Sequence, residues 1–380
     1  MNHETVKKHK EKYHFTQRAL YRDLNSRQAY SMTDEQAHAL LCDIRWGSEE
    51  IVECPGCGLV AKHYKRRTRR QWRCIKCQRC FSITSGTPFA HRKLPLRKFV
   101  PLFYEFAAGQ KGVSANGCAP ALGVTVRTAH HNFSKLREVT MLQQDKSPLQ
   151  GTVQVDGGYF CGKPRKANKR GNGAPPRINS RRLGRKQALI PTPYSELAPW
   201  NQVKRRNQRV VIVLRELHPP DSDEKGARRT ITEIVTAETA EFVVPILNTY
   251  LSSGTVVQTD GGIGYQKMDH KKFEHQPVVH GDCYSNEYGW NNNQAESYFS
   301  RMRRAEFGIN HGMRHQYLAM YASDYAWHED TRRMTRSARF RDLIKKAMQC
   351  GRSAAFCGYK ARKRLVREHL FVPAKKATGK

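Results

Sequence analysis

The chain has 380 residues, and its 67 Lys and Arg outnumber 33 Asp and Glu to give a formal net charge of +34 and a pI near 10.0. A polycation of this size favours a polyanionic partner, because each phosphate neutralised by Lys or Arg releases counterions. Hydrophobic residues make up 38% of the chain, enough for a buried core. No run of about 18 apolar residues occurs and the amino terminus has no apolar segment of signal type. No membrane partner is therefore expected, and the protein should be cytoplasmic and nucleoid-associated. The 11 cysteines are an odd number, and the close pairing of four of them suits metal binding in a reducing compartment better than a disulfide framework.

In chain order, residues 1–45 are polar with scattered apolar positions and predict one or two short helices. Residues 46–95 are rich in Cys and Arg. Cys54-Pro-Gly-Cys57 and Cys74-Ile-Lys-Cys77 are two knuckles with 16 residues between them. Four thiolates at this spacing can close tetrahedrally around a structural Zn²⁺, whose binding helps fold a segment too small for its own core. Cys80 is an alternative ligand, less symmetric than the knuckle residues. Between the knuckles, His63 to Arg70 reads as a basic hairpin suited to phosphates.

From 96 to 145 the period becomes helical. Phe99, Leu102, Phe103 and Phe106 form a core-facing stripe. Ser114 can cap a second helix, Gly123 breaks it, and Thr125 can cap a third running to about Arg137. Helix, Gly-containing turn and helix together form the shape that lays a recognition helix in the major groove. Arg127, Thr128, His131 and Asn132 are its candidate groove-facing residues. Pro120 sits awkwardly inside the second helix.

Strands are predicted at 152–160, 209–217, 229–236 and 255–259, with a helix near 238–251. Between the first two strands, 161–208 is rich in Lys, Arg, Asn, Gly and Pro and too long for an ordinary connection. It is either an added DNA clamp or a surface loop. Helices resume after Asn292, and 346–380 form a basic tail.

One strand ends in Asp156 and another in Asp260, each followed by two glycines, and a later helix opens with Asn293-Gln-Ala-Glu296. A lone acid in any of these places is ordinarily a turn former or a solvated face. Acids on a first strand, a later strand and a helix, in this order, follow the pattern of RNase H-like nucleotidyl transferases. The 35 residues between Asp260 and Glu296 are the usual interval in DDE enzymes. Such a trio can hold two Mg²⁺ ions for in-line displacement at phosphorus. Arg303, seven residues after Glu296, can orient the helix or bind a phosphate in bidentate fashion.

These motifs resemble the insertion-sequence transposases of the ISXO-type group. In the first half the likeness runs through Arg45-Trp46, both knuckles, Phe81-Ser-Ile-Thr-Ser-Gly-Thr87, Leu94-Pro-Leu-Arg-Lys98 and Lys111-Gly-Val-Ser114. In the second it runs through Asp156, Asp260-Gly261, Tyr265, His280, Asn293 to Glu296, Arg303-Arg304, Gly308 and His311. The resemblance covers roughly 45 to 333. It implies a DDE transposase with an RNase H-like fold, dependent on Mg²⁺ or Mn²⁺, that cuts and joins double-stranded DNA at element ends and target. Pairing two ends implies a homodimer or higher oligomer.

Asp156, Asp260 and Glu296 inherit the metal-ligand roles, and Arg303 the basic position after them. Three departures stand out: Gly157 replaces an acid common after the first Asp, Arg303 replaces a more usual Lys, and the insertion 161–208 is longer and more basic than the resemblance implies. Members of the group vary at the third acid, so Asn293 is a second candidate for the third ligand. The expected architecture is multidomain α/β. It comprises a helical segment (1–45), a zinc ribbon (46–95), a helix-turn-helix (96–145) and an RNase H-like mixed-sheet domain (150–345) carrying the basic insertion, then the tail. The competing readings are a transposase-derived DNA-binding protein without catalysis and an RNase H-like nuclease acting on other nucleic acids.

Overall fold

The computed structural model describes residues 20–161, 208–278, 290–357 and 366–373. The basic insertion, apart from its first and last residues, and His280 lie outside these residues.

Two helices, α1 (Ser26–Tyr30) and α2 (Asp34–Trp46), open the described chain. The second has a complete stop and start code. Thr33 and Gln36 form a capping box, Asp34 and Glu35 sit in the positive first turn, and Gly47 ends the helix at φ 70°, a conformation that costs a side chain strain. The ribbon follows as two small antiparallel sheets. The first contains β1 (Ile51–Glu53) and β2 (Val60–Lys62); the second contains β3 (Tyr64–Arg66), β4 (Gln71–Arg73) and β5 (Cys80–Ser82).

Helices α3 (Leu96–Ala108), α4 (Ala115–Leu122) and α5 (Val126–Leu142) come next. Ser114 and Thr125 cap α4 and α5 through their side chains, and Gly123 takes the left-handed conformation between them. Pro120 lies inside α4 without breaking it; the helix has only eight residues and ends at Gly123.

The remaining chain builds a five-stranded mixed sheet of β6 (Thr152–Cys161), β7 (Gln208–Leu217), β8 (Ala227–Val235), β9 (Val256–Thr259) and β10 (Glu274–Pro277). Its order is β10-β9-β6-β7-β8. β6, β7 and β8 form an antiparallel meander, whereas β9 and β10 run parallel to β6. β10 was not expected from the sequence: Glu-His-Gln-Pro has no apolar alternation, and only its place at the sheet edge makes it a strand.

Alternation along the strands gives each face a core. Val153, Val155, Ile212 and Leu214 pack under α6 (Ala240–Tyr250) with Val243, Ile246 and Leu247. Val211, Val213 and Ile234 pack under α7 (Asn293–Gly308) and α8 (Leu318–Asp330) with Tyr298, Phe299, Met302 and Tyr325. The mixed sheet with helices on both faces is consistent with an RNase H-like domain.

The last helix, α9 (Arg336–Gln349), belongs to the other half of the molecule. Phe340, Leu343, Ile344 and Ala347 join one core with Leu41 of α2, Trp72 of the ribbon and Phe99, Phe103 and Phe133 of the three-helix segment. The expected boundary at 345 therefore falls inside a helix committed to the amino-terminal core. The two halves are fastened by buried charge. Arg137 of α5 donates to Asp324 of α8 at 3.1 Å, His328 approaches the same carboxylate at 3.3 Å, and Arg339 of α9 contacts His328 at 2.8 Å.

Candidate active site

Two centres suited to metal stand out. In the ribbon, the Sγ atoms of Cys54, Cys57, Cys74 and Cys77 all lie within 4.8 Å of one another. Cys54 is 3.6 Å from Cys77, and Cys57 is 3.6 Å from Cys74. The backbone N–H groups of Lys76 and Cys77 donate to Cys74 Sγ at 3.4 Å, an arrangement that favours the thiolate a zinc ion requires. Cys80 stands in β5 opposite Arg73 and is not one of this group. The basic hairpin is partly spent within the protein. Lys65 pairs with Glu49 at 2.8 Å, Arg70 pairs with Glu35 and His63 is buried, whereas Tyr64, Arg66 and Arg69 are exposed.

The second centre is a cavity of about 810 Å³ at the middle of β6 and the carboxyl end of β9, lined by Asp156, Gly157, Asp260, Asn293, Glu296, Ser297, Phe299, Ser300, Arg303 and Arg304. Asp156, expected to end its strand, is instead an interior residue of β6, because pairing with β7 continues through Gly157 and Gly158 to Cys161. The three acids singled out in sequence, the alternative Asn293 and Arg303 thus face one space. Arg304 was not among the predicted catalytic residues and lines it too. Parity explains the convergence of the strand acids. Asp156 shares a face with Gln154, and Asp260 shares one with Gln258, which pairs with Gln154 across β6 and β9. That face is the one α7 covers. Glu296 stands in the first turn of α7, where the helix dipole favours a carboxylate.

Burial and neighbouring acids work against ionisation in the cavity. Burial, reinforced by the charges of Asp260, Glu238 and Glu296, raises the Asp156 carboxyl to about 7, although the Gly157 N–H donates to its Oδ1 at 2.8 Å. Glu238, just before α6, does not line the cavity but lies beside Gly157, and sequence reasoning missed it. Burial raises it as well, against a hydrogen bond from the Tyr265 hydroxyl at 2.8 Å. In sequence it is a plain Glu near a helix start, and nothing in its spacing ties it to the other three.

A network of side-chain amides holds the cavity in register. Gln154, Gln258 and Gln276 occupy matched positions on β6, β9 and β10. Gln154 Nε2 donates to Gln258 Oε1 at 3.1 Å and to Asn291 O at 2.6 Å, while its Oε1 accepts from the Gln294 N–H at 2.8 Å. Gln258 passes the chain on to Gln276 at 3.0 Å. Buried Arg215 donates to the Gln294 carbonyl at 2.6 Å. The start of α7, and with it Glu296, is thereby tied to the strand that carries Asp156. Gly158 completes the fit, because a Cβ there would lie 2.4 Å from the Phe299 ring. Arg303 extends over that ring at 5.8 Å.

The four groove-facing candidates are not equivalent. Arg127 is exposed at the start of α5. The Thr128 hydroxyl lies 3.0 Å from that of Thr125 in the cap, and Asn132 donates to the Thr128 carbonyl at 2.8 Å. His131 meets the Phe356 ring edge to face at 5.9 Å. Three of the four thus have intramolecular partners at the positions predicted to face a groove.

A four-cysteine ribbon, a helix-turn-helix-like segment and a mixed sheet with strand-end and helix acids around one cavity define a DNA-transaction protein of the DDE class. Comparison with known proteins agrees. Residues 148–330 match the ISXO2-like transposase domain, and residues 32–80 match the transposase zinc-ribbon domain, a span that takes in α2. Over 130 residues, 34% of this chain, it is 25% identical to a protein in the transposable element ISH50 of Halobacterium salinarum, of whose length the match covers 42%. No solved structure matches. The chain belongs to the ISXO2-like family of DDE transposases with an amino-terminal zinc ribbon.

Proposed function

We propose that the protein binds the ends of an insertion sequence and carries out metal-dependent strand cleavage and strand transfer, with Asp156, Asp260 and Glu296 holding the divalent cations. The observation that carries this reading is the meeting of these three acids at one cavity in a transposase-family domain. The donor set fits Mg²⁺ or Mn²⁺: the lining residues offer carboxylate, amide and hydroxyl oxygens and no thiol or imidazole, the ligands hard cations prefer. A carboxyl raised to about 7 among other acids is a site where a cation lowers the cost of ionisation.

When bound, such cations activate a water or a 3′-hydroxyl and stabilise the leaving oxygen at phosphorus. The chain's own part is positional. The amide network sets Glu296 against Asp156, and Arg303 and Arg304 offer the cavity mouth cationic contacts for the phosphate backbone. The ribbon and the α3–α5 segment hold the duplex, with Arg127, Arg66 and Arg69 as exposed phosphate partners. Two element ends are processed together by a homodimer or higher oligomer.

The test is cleavage and transfer on a labelled element-end duplex with Mg²⁺. Asp156→Ala, Asp260→Ala and Glu296→Ala are each expected to bind DNA at fixed salt yet lose about a hundredfold or more of cleavage. Activity retained in Glu296→Ala but lost in Asn293→Ala moves the third ligand to Asn293. A wild type that binds ends without cutting them overturns the enzymatic reading in favour of a DNA-binding derivative.

A further inference from the structure

We infer that Glu238 is a fourth carboxylate of the cation site, reaching the middle of β6 from the sheet face opposite Glu296. The inference rests on the reading of the other acids as a divalent-cation site. Glu238 stands between β8 and α6, next to Thr239 at the amino-terminal boundary of the helix. A Cβ added to Gly157 would lie 2.2 Å from both Cδ and Oε1 of Glu238 and 2.4 Å from its Oε2. The carboxyl group therefore fills the volume that any side chain at 157 would take, directly beside the backbone of Asp156.

Its orientation is built. The Tyr265 hydroxyl donates to Glu238 Oε1 at 2.8 Å, and Tyr265 is itself 1% exposed in the core beneath α6. Behind the carboxyl the packing is equally close, since a Cβ on Gly264 would stand 3.3 Å from the Glu238 carbonyl oxygen. Among the described residues no Lys or Arg forms an ion pair with Glu238, Asp156 or Asp260. Clustered, partly buried carboxylates without such partners are costly until a cation joins them. Gly157 supplies no acid of its own, and the geometry brings one to the same point from another element.

Mn²⁺ titration of the full-length protein, followed by electron paramagnetic resonance of the free ion, tests this. Wild type is compared with Asp156→Asn, Glu238→Gln and Gly157→Ala, with thermal midpoints and DNA-end binding measured alongside. Glu238→Gln keeps the shape and an acceptor for Tyr265 but not the charge. It is expected to bind Mn²⁺ about tenfold or more weakly, with a metal-free midpoint equal to or above the wild type and DNA binding retained. Gly157→Ala, which evicts the carboxyl without altering Glu238, is expected to weaken Mn²⁺ in the same sense. Wild-type Mn²⁺ affinity in Glu238→Gln alongside a loss in Asp156→Asn overturns the inference and leaves Glu238 as an anchor for Tyr265. Unchanged affinity in Asp156→Asn overturns the cation-site reading itself, and the inference with it.

Discussion

At Gly158 the absence of a side chain decides how close α7, which carries Glu296, can come to β6. A Cβ would stand 2.4 Å from Phe299 Cε1 and 2.5 Å from Cδ1, so Gly158→Ala must push α7 off β6. Overpacking of this kind costs about 1–3 kcal/mol. The thermal midpoint should fall, and cleavage should fall further than stability alone explains because Glu296 moves with the helix. A Gly158→Ala protein with wild-type cleavage contradicts the account. Asp156 makes a second residue-scale prediction. Its carboxyl is raised to about 7 by burial and neighbouring acids, so the folded state holds its proton more tightly than the unfolded chain. Metal-free stability should therefore decline as pH rises from the ordinary Asp range to about 7, and Asp156→Asn should abolish that part of the decline. Because the proton and the cation compete for one carboxylate, Mn²⁺ affinity should weaken as pH falls below about 7. A titration at pH 6 and 8 that shows no difference rejects this.

Among the elements, the first turn of α7 matters most, since it carries both Asn293 and Glu296. It has no side-chain cap of its own. Its fixation comes from Gln154, which donates to Asn291 and accepts from the Gln294 N–H, and from Arg215, which donates to the Gln294 carbonyl. Gln154→Leu removes the glutamine's contacts with Gln258, Asn291 and Gln294 and leaves the part-buried Gln294 N–H without its acceptor, at about 1–3 kcal/mol. It should bind DNA as the wild type does while cleavage falls about tenfold or more, because a small misplacement of a catalytic group is costly. Equal losses in binding and cleavage would point instead to general unfolding. The α5 helix makes the complementary point. Thr125, Thr128 and Asn132 are linked to one another and His131 packs on Phe356, so substitution of Arg127 is expected to weaken duplex binding more than substitution of Asn132.

Across the whole molecule, the half built on the ribbon and α3–α5 and the half built on the mixed sheet share buried ionic contacts instead of hanging on a linker. Arg137 and Asp324 are both nearly inaccessible and 3.1 Å apart. Removing one partner leaves the other charged and buried, a loss of about 3–5 kcal/mol. Asp324→Ala should lower the unfolding midpoint sharply. Because α8 also packs on β8 and α5, it should weaken cleavage and duplex binding together, in contrast to Gln154→Leu. Retention of both activities at a normal midpoint would show that the halves are independent.

Much of this was legible in the residues themselves. The cysteine knuckles carry their own spacing. Thr33, Ser114, Thr125, Gly47 and Gly123 punctuate helices through local backbone chemistry that needs no distant partner. Asp260 follows the apolar alternation that marks β9, whereas Asp156 was expected at a strand end and lies inside β6, whose pairing with β7 carries the strand on past two glycines. Their common cavity with Glu296 followed from the order and interval of the three acids. What sequence could not supply is everything set by contact between distant segments. β10 becomes a strand only by lying beside β9. α9 leaves the mixed-sheet half because its apolar stripe fits the amino-terminal core. Glu238 approaches Gly157 only because α6 and β6 meet across the sheet. Local codes act through covalent neighbours within a few residues and can be read one segment at a time. The fourth acid, the glutamine network and the buried Arg137–Asp324 contact are decided by packing, in which the partner's place depends on the whole fold.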